Sequence, residues 1–306
     1  MSQKIVFMGT PGFSLPTLSL LKNSKHRILA VYSQPQSKSN RGQKKNPSNV
    51  EIFSKEKSLN LRTPTNLDSD EEYNFFKNLK PDIVVVVAYG KIIPKRFLSL
   101  SKHGFINLHA SLLPKWRGAA PIQRSIMNLD NLTGISVMKI VEELDAGPII
   151  HQDKIKINEN IDTLTLSKVL SQLGAKSMIE TIDRIEKGTV KFKEQNHSMA
   201  TYAKKILKSE AKINWNDSAK KVLAKINGLN PNPGAWFQYK NIRYKVWKAK
   251  LINAKGNPGE VMDDKLTIAC SENSIQIIEI QKEGKSKQLV NNFLLGNHIK
   301  KSENIS

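Results

Sequence analysis

Residues Asp82 to Gly90 read DIVVVVAYG. An isoleucine and four valines in a row, closed by a glycine, make a continuous apolar run of strand length. A strand with no polar face is buried on both sides, which happens when helices cover a parallel sheet above and below. The flanking sequence repeats the theme. KIVFMG (4–9), RILAVYS (27–33) and FINLH (105–109) are further apolar runs. Between them, helical periodicity is predicted over 13–21, 50–57 and 69–79, with a short extended piece at Leu61-Arg62. Strand and helix in alternation predict an α/β domain with a parallel sheet, whose ligands sit beyond the carboxyl ends of the strands. The segments at those ends are GTPGF (9–13), AYGKIIP (88–94) and NLHAS (107–111). Gly9 and Gly12 do not complete G-x-G-x-x-G, so a dinucleotide is a weak candidate for the ligand.

Further on the pattern changes. Strand runs at 133–140 and 147–157 precede a long amphipathic helix over 163–187. Residues 187–206 lose periodicity and read as an exit strand and a linker. A capped helix is predicted over 216–226, then short alternating strands at 235–238, 242–249, 265–270 and 274–280, split by turn signals such as KGNPGE. This spacing suits a small barrel or sandwich. The polar tail from Gly296 is expected to fray. At 306 residues the chain has room for two domains.

Composition narrows the class. The run at 83–88 is the longest apolar stretch, far short of the roughly 20 residues a membrane span needs. The single cysteine, Cys270, excludes an internal disulfide framework and any cysteine-cluster zinc site. The six histidines lack metal-ligand spacing, so no metal is expected. KIVFMG begins at once, without a signal region, and the expected location is cytoplasmic. The charge is lopsided, with 48 Lys+Arg against 27 Asp+Glu. Residues 205–306 alone hold 18 of the first and 9 of the second. Such a surplus makes nucleic acid the leading partner class. Lys204, Lys205, Lys208, Lys245, Lys248 and Lys250 are candidates for tracking phosphates, with ordinary solvated charge as the alternative for each. Trp236, Tyr244 and Trp247 offer rings for base stacking, but their strand spacing favours a place in the core.

The stretch FINLHASLLPKWRG (105–118) carries the chemistry. In a strand, residues two apart point the same way, so Asn107 and His109 face one point at the sheet edge. An amide NH₂ and a protonated imidazole are both donors, suited to the oxyanion that forms when a nucleophile attacks a carbonyl. EELDAG (142–147) places Asp145 in an acidic turn. An ionised carboxylate there favours the imidazolium and can pass a proton through water. The alternatives stay open: a strand-end Asn and His satisfied by backbone, and an Asp that only forms a turn. The residues by themselves yield transfer to or from a carbonyl.

FINLHASLLPKWRGAAPIQRSI, with ELDAGPI, resembles the methionyl-tRNA formyltransferase family. The resemblance runs on through FMGTPGF, SQPQSKSNRGQKKNPS, VVVVAYGKIIP and INGLNPNPGAW, nearly the whole chain in order. It implies a Rossmann-like parallel-sheet formyltransferase domain (1–203) that binds formyl-folate, followed by a small OB-like β-barrel (204–306) that binds tRNA. The implied reaction moves the formyl group of 10-formyltetrahydrofolate to the α-amine of methionine on initiator methionyl-tRNA. No membrane and no protein partner is implied. Asn107, His109 and Asp145 match the catalytic trio. Val87, Ala88, Tyr89, Gly90, Ile92, Val141 and Leu144 match the folate pocket walls, with Ser111, Leu112, Leu113 and Pro114 shaping the pocket. Arg41 matches an arginine that wedges into the end of the acceptor stem, and the basic KWRG segment reads as part of the acceptor's entry route.

The chain departs from the family pattern in three places. Ser37 stands in a loop that usually holds arginine there, Glu143 replaces a customary glycine, and Gly12 replaces a frequent aspartate. Glu143 therefore requires a backbone outside the left-handed region. Two other readings carry the same motifs: a formyltransferase acting on a small amine such as a sugar nucleotide or glycinamide ribonucleotide, and an RNA-binding protein or formyl-folate hydrolase.

Overall fold

The structure, a computed structural model, describes residues 2–39, 44–297 and 299–305. The first elements are β1 (Lys4–Gly9), α1 (Leu15–Lys22), β2 (Arg27–Tyr32), β3 (Ser37–Ser39), β4 (Lys44–Asn46), α2 (Asn49–Glu56), β5 (Leu61–Arg62), α3 (Asp70–Leu79), β6 (Ile83–Val87) and β7 (Phe105–His109). Then come β8 (Arg117–Gly118), α4 (Pro121–Met127), β9 (Leu132–Lys139), β10 (Ile149–Lys156), α5 (Thr163–Glu186) and β11 (Tyr202–Ala203). The last are α6 (Ala219–Gly228), β12 (Ala235–Tyr239), β13 (Ile242–Ile252), β14 (Thr267–Ala269), β15 (Ser274–Lys282), β16 (Gln288–Leu289) and α7 (Val290–Gly296). Two compact units result. One comprises residues 1–118, 134–155 and 167–202; the other comprises 119–133, 156–166 and 203–306.

The first unit is built on a seven-stranded sheet in the order β10-β9-β7-β6-β1-β2-β5. Pairing of β1 with β2 and β6, of β2 with β5, and of β6 with β7 is parallel, as the valine run requires. Every residue of β6 is buried, so its side chains have a covering layer on each face. The helices start where their caps say they should: Ser48 Oγ accepts from Glu51 N–H, and Ser69 Oγ from Glu72 N–H. Chain order reverses between β1 and β6, which puts a crevice at their carboxyl ends. The sheet is mixed, because β9 runs antiparallel to β7. The helix-poor stretch after β2 contains a β3–β4 antiparallel pair that periodicity did not reveal; three-residue strands are too short to show a period.

In the second unit β12, β13, β15 and β14 form an antiparallel sheet in that order, with β16 added on β15. Phe237 stacks on Tyr244, and Tyr244 meets Phe293 edge-on, 5.4 and 5.7 Å between centroids. Ser218 Oγ caps α6 by accepting from Lys221 N–H, so the helix starts three residues later than the sequence suggested. The tail does not fray. Ile299 and Ile305 are buried in the core, Ile305 N–H donates to Gly259 O, and Val261 N–H donates to Glu303 O. Two isoleucines among polar neighbours carry no periodicity, which is why the sequence concealed this return.

Candidate active site

The carboxyl ends of the parallel strands are tied together by short polar side chains. Thr10 Oγ1 donates to Tyr89 O at 2.8 Å, and Gln34 Nε2 donates to the same carbonyl at 2.9 Å. Ser14 Oγ donates to Val87 O at 2.6 Å. GTPGF is thereby explained as the latch that shapes the turn after β6. In that turn Ala88 lies at φ 48° and Gly90 at φ 80°. The positive φ of Gly90 favours glycine, and a Cβ there would also fall 2.3 Å from Gln34 Nε2 and push that side chain off the Tyr89 carbonyl.

Asn107 sits beside Val86 on one side and Met138 on the other. Among the described residues its carboxamide has no hydrogen-bond partner, while its strand neighbours Phe105, Ile106 and Leu108 are buried. His109 is 6% exposed. Its Nε2 lies 2.8 Å from Trp116 O, and because a carbonyl only accepts, Nε2 carries the proton. Its Nδ1 faces Asp145 Oδ2 at 3.6 Å. Asp145 Oδ2 also accepts from Gly118 N–H at 2.8 Å. The structure thus brings His109 and Asp145 together, and it satisfies His109 Nε2–H with backbone rather than aiming it at open space.

Asp145 adopts φ 50°, in the left-handed region that Asp tolerates better than most side chains. Glu143, two residues before it, does not, as its departure from glycine requires. A Cβ on Gly147 would fall 2.0 Å from Lys139 O, so the turn closes against the end of β9 only because that residue lacks one. After β7, Ser111 Oγ donates to Lys115 O and Ser136 Oγ donates to Ser111 O. Leu113 N–H donates to Ser136 Oγ, and Gln152 Nε2 donates to Leu113 O. Ser111 and Leu113 are consequently buried, whereas Leu112 and Pro114 are half-buried.

Of the other pocket candidates, Val87 and Tyr89 are buried and Ala88 and Gly90 exposed. Burial pushes the Tyr89 hydroxyl up to about 12. Ile92, 90% exposed, stands out with Val141 and Leu144 as apolar side chains facing solvent. Sequence reasoning missed Arg117 as a buried residue and missed Gln195, Ser136 and Gln152 altogether. Arg117 is 1% exposed, so it is not part of an open entry route; its Nη1 donates to Glu143 Oε1 and its Nε and Nη2 to Gln195 Oε1. Arg117 stands in the basic KWRG segment, which gives no sign that it is buried.

In the second unit Lys204, Lys205, Lys208, Lys248 and Lys250 are exposed. Lys245 is half-buried, donates to Pro233 O at 2.7 Å, and is held below the usual lysine range by burial and by Arg243 and Lys208. Tyr244 belongs to the core, and Trp236 packs partly against it with Arg243 over its ring. Trp247 is half-buried and donates to Gln281 Oε1. Arg41 lies outside the described residues.

One acidic group elsewhere has metal-like spacing. His26, Asp183 and Glu186 place ligand atoms within 4.8 Å of one another. Lys25 Nζ already lies 3.0 Å from Asp183 Oδ1 and 2.6 Å from Glu186 Oε2. His26 Nδ1 accepts from Gln3 N–H, so the nitrogen turned to the carboxylates carries a proton and has no lone pair for a metal. No helix of the described residues is long and apolar enough to cross a membrane.

The chain matches the family model "Formyl transferase" over residues 3–182 and "Formyl transferase, C-terminal domain" over 205–298. It is 52% identical to a methionyl-tRNA formyltransferase of Pelagibacter ubique (strain HTCC1062), covering 100% of this chain and 99% of the other. It is 42% identical to one from Bradyrhizobium diazoefficiens, covering 98% of each. In fold it is similar to HypX from Aquifex aeolicus, solved in complex with tetrahydrofolic acid, with a TM-score of 0.68 at 17% identity over 96% of this chain. The chain spans about half the length of that structure, covering 47% of it. The strand-end site and the matched lengths agree: this chain belongs to the formyl transferase family.

Proposed function

We propose that this chain is a methionyl-tRNA formyltransferase, moving the formyl group of 10-formyltetrahydrofolate to the α-amine of methionine on initiator methionyl-tRNA, in the cytoplasm. The observation that carries this is the end-to-end likeness to a methionyl-tRNA formyltransferase, which includes both the sheet unit and the basic C-terminal third. Residues 1–203 would form the catalytic domain and 204–306 the tRNA-binding domain.

The residues at the strand ends fit a folate. Solvent-facing Ile92, Val141 and Leu144 offer apolar contact, the 88–90 turn offers exposed backbone, and Asn107 offers an unbonded amide. Bound there, 10-formyltetrahydrofolate supplies an activated formyl carbon for attack by an amine. Asn107 provides N–H groups that cost no partner to redirect, suited to negative charge growing on a carbonyl oxygen. His109 contributes a second N–H by exchanging the Trp116 carbonyl for that oxygen. A proton taken up at His109 Nδ1 is held against Asp145 Oδ2, and Gly118 N–H keeps the carboxylate in place. Asp145 thereby orients His109, and a water beside the pair can relay the proton leaving the amine to the folate nitrogen, whose bond to the formyl carbon breaks as the new amide bond forms. Lys204, Lys205, Lys208, Lys245 and Lys248, with Arg41, would meet phosphates.

The test supplies labelled formyl-folate with charged initiator tRNA, with an amino-sugar nucleotide, or with neither. Label recovered on methionyl-tRNA is the expected result. Label on the sugar amine, or release to water at the same rate without tRNA, would overturn the reading.

A further inference from the structure

The turn that presents Asp145 is held from behind by a single buried amide. Gln195 is 5% exposed, 50 residues away in sequence, and outside every motif. Its Nε2 donates to Asp145 O at 2.8 Å and to Gly147 O at 2.7 Å. Its Oε1 accepts from Arg117 Nε at 3.2 Å and Nη2 at 2.9 Å. Both amide protons and both lone pairs are therefore committed. Arg117 reaches on to Glu143 Oε1, so the guanidinium bridges Gln195 to the start of the same turn. Asp145 holds φ 50° between the carbonyl gripped by Gln195 and the carboxylate gripped by Gly118 N–H.

We infer that Gln195 is a positioning residue for formyl transfer: its carboxamide fixes the Asp145 backbone so that the carboxylate faces His109. Arg117 orients that carboxamide, since a guanidinium only donates and forces Oε1 toward itself and Nε2 toward the turn. The role rests on the proposed function of Asp145 and concerns the turnover step, Gln195 itself being buried.

Gln195→Glu tests it. The shape and the Arg117 contact persist, but an oxygen replaces the donor that faced two carbonyls. The expected result is a kcat lower by about 10- to 100-fold, the scale of a catalytic group displaced by an ångström, with KM for both substrates within roughly threefold of the parent, because Gln195 is buried and all its amide bonds go to the protein. In an Asp145→Asn background, measured by single turnover, the same change should cost less than about twofold, since coupled residues are non-additive. Losses that multiply, or a raised KM with kcat intact, overturn the positioning role. Near-normal activity of Asp145→Asn alone overturns the reading of Asp145, and this inference with it. If Gln195→Glu loses its cooperative melt, Gln195→Asn, which keeps the amide but falls a methylene short, enters the same cycle and is held to the same outcomes.

Discussion

The two units use polar residues in opposite ways. At the strand ends of the first, a few largely buried side chains are bonded to backbone and to one another: His109 to Trp116 O and facing Asp145, Arg117 to Gln195, Ser136 to Ser111 O. Over the second, many lysines stand exposed and each commits little. The first arrangement suits concentrated chemistry, since every member supports the next. The second suits the spread role proposed for it, since phosphate attraction adds up over weak contacts and tolerates single losses. Chemistry on one carbonyl needs the former; holding a polyanion needs only the latter.

The sharpest way to break this contrast is to remove a donor from the first. Asn107→Ala and His109→Ala should each lower turnover by roughly 10²- to 10³-fold and leave tRNA affinity near that of the parent; a filter-binding titration beside a turnover assay separates the two. Unimpaired turnover in either variant would remove that residue from the site.

Next comes the rigidity of the buried region. Gly147→Ala forces a methyl against Lys139 O and should cost about 1–3 kcal/mol, read from a denaturant melt. Equal stability would mean the turn yields, and with it the claim that Asp145 is held in place.

Weaker still is any one lysine. Lys248→Ala should reduce the salt slope of tRNA binding by about one unit and leave kcat unchanged. A loss as large as that of Asn107→Ala would show that the second unit also concentrates function.

The smallest effect belongs to Glu303, which anchors the returning tail. Tyr239 Oη and Lys300 N–H donate to it, and those bonds bring its carboxyl down to about 2. A carboxyl lowered by folding adds stability above its unfolded pKa of about 4.3 and loses it as the pH falls toward 2. Thermal melts between pH 6 and pH 2 should therefore fall more steeply for the parent than for Glu303→Gln. Parallel curves would detach Glu303 from the tail's stability.

Much of this was legible in advance, for identifiable reasons. The valine run of β6 announces a doubly covered parallel strand, and the spacing of Asn107 and His109 follows from strand geometry. Asp145 was legible as an acidic turn. What escaped notice depends on contacts across long sequence separations. Gln195 lies 78 residues from Arg117, in a segment without periodicity, and Ser136 meets Ser111 across 25. The antiparallel turn of β9 against β7 is likewise a matter of pairing, and no local pattern records it.

The left-handed backbone at Asp145 has a consequence for the cell's quality control. Asparagine shares aspartate's ease in that conformation, so Asp145→Asn should fold as readily as its parent. Chaperones and proteases act on unfolded chains and would let it pass. On the role proposed for Asp145, a one-step lesion at this position would then produce not scarcity but a full complement of inert protein, competing with its working siblings for every charged initiator tRNA.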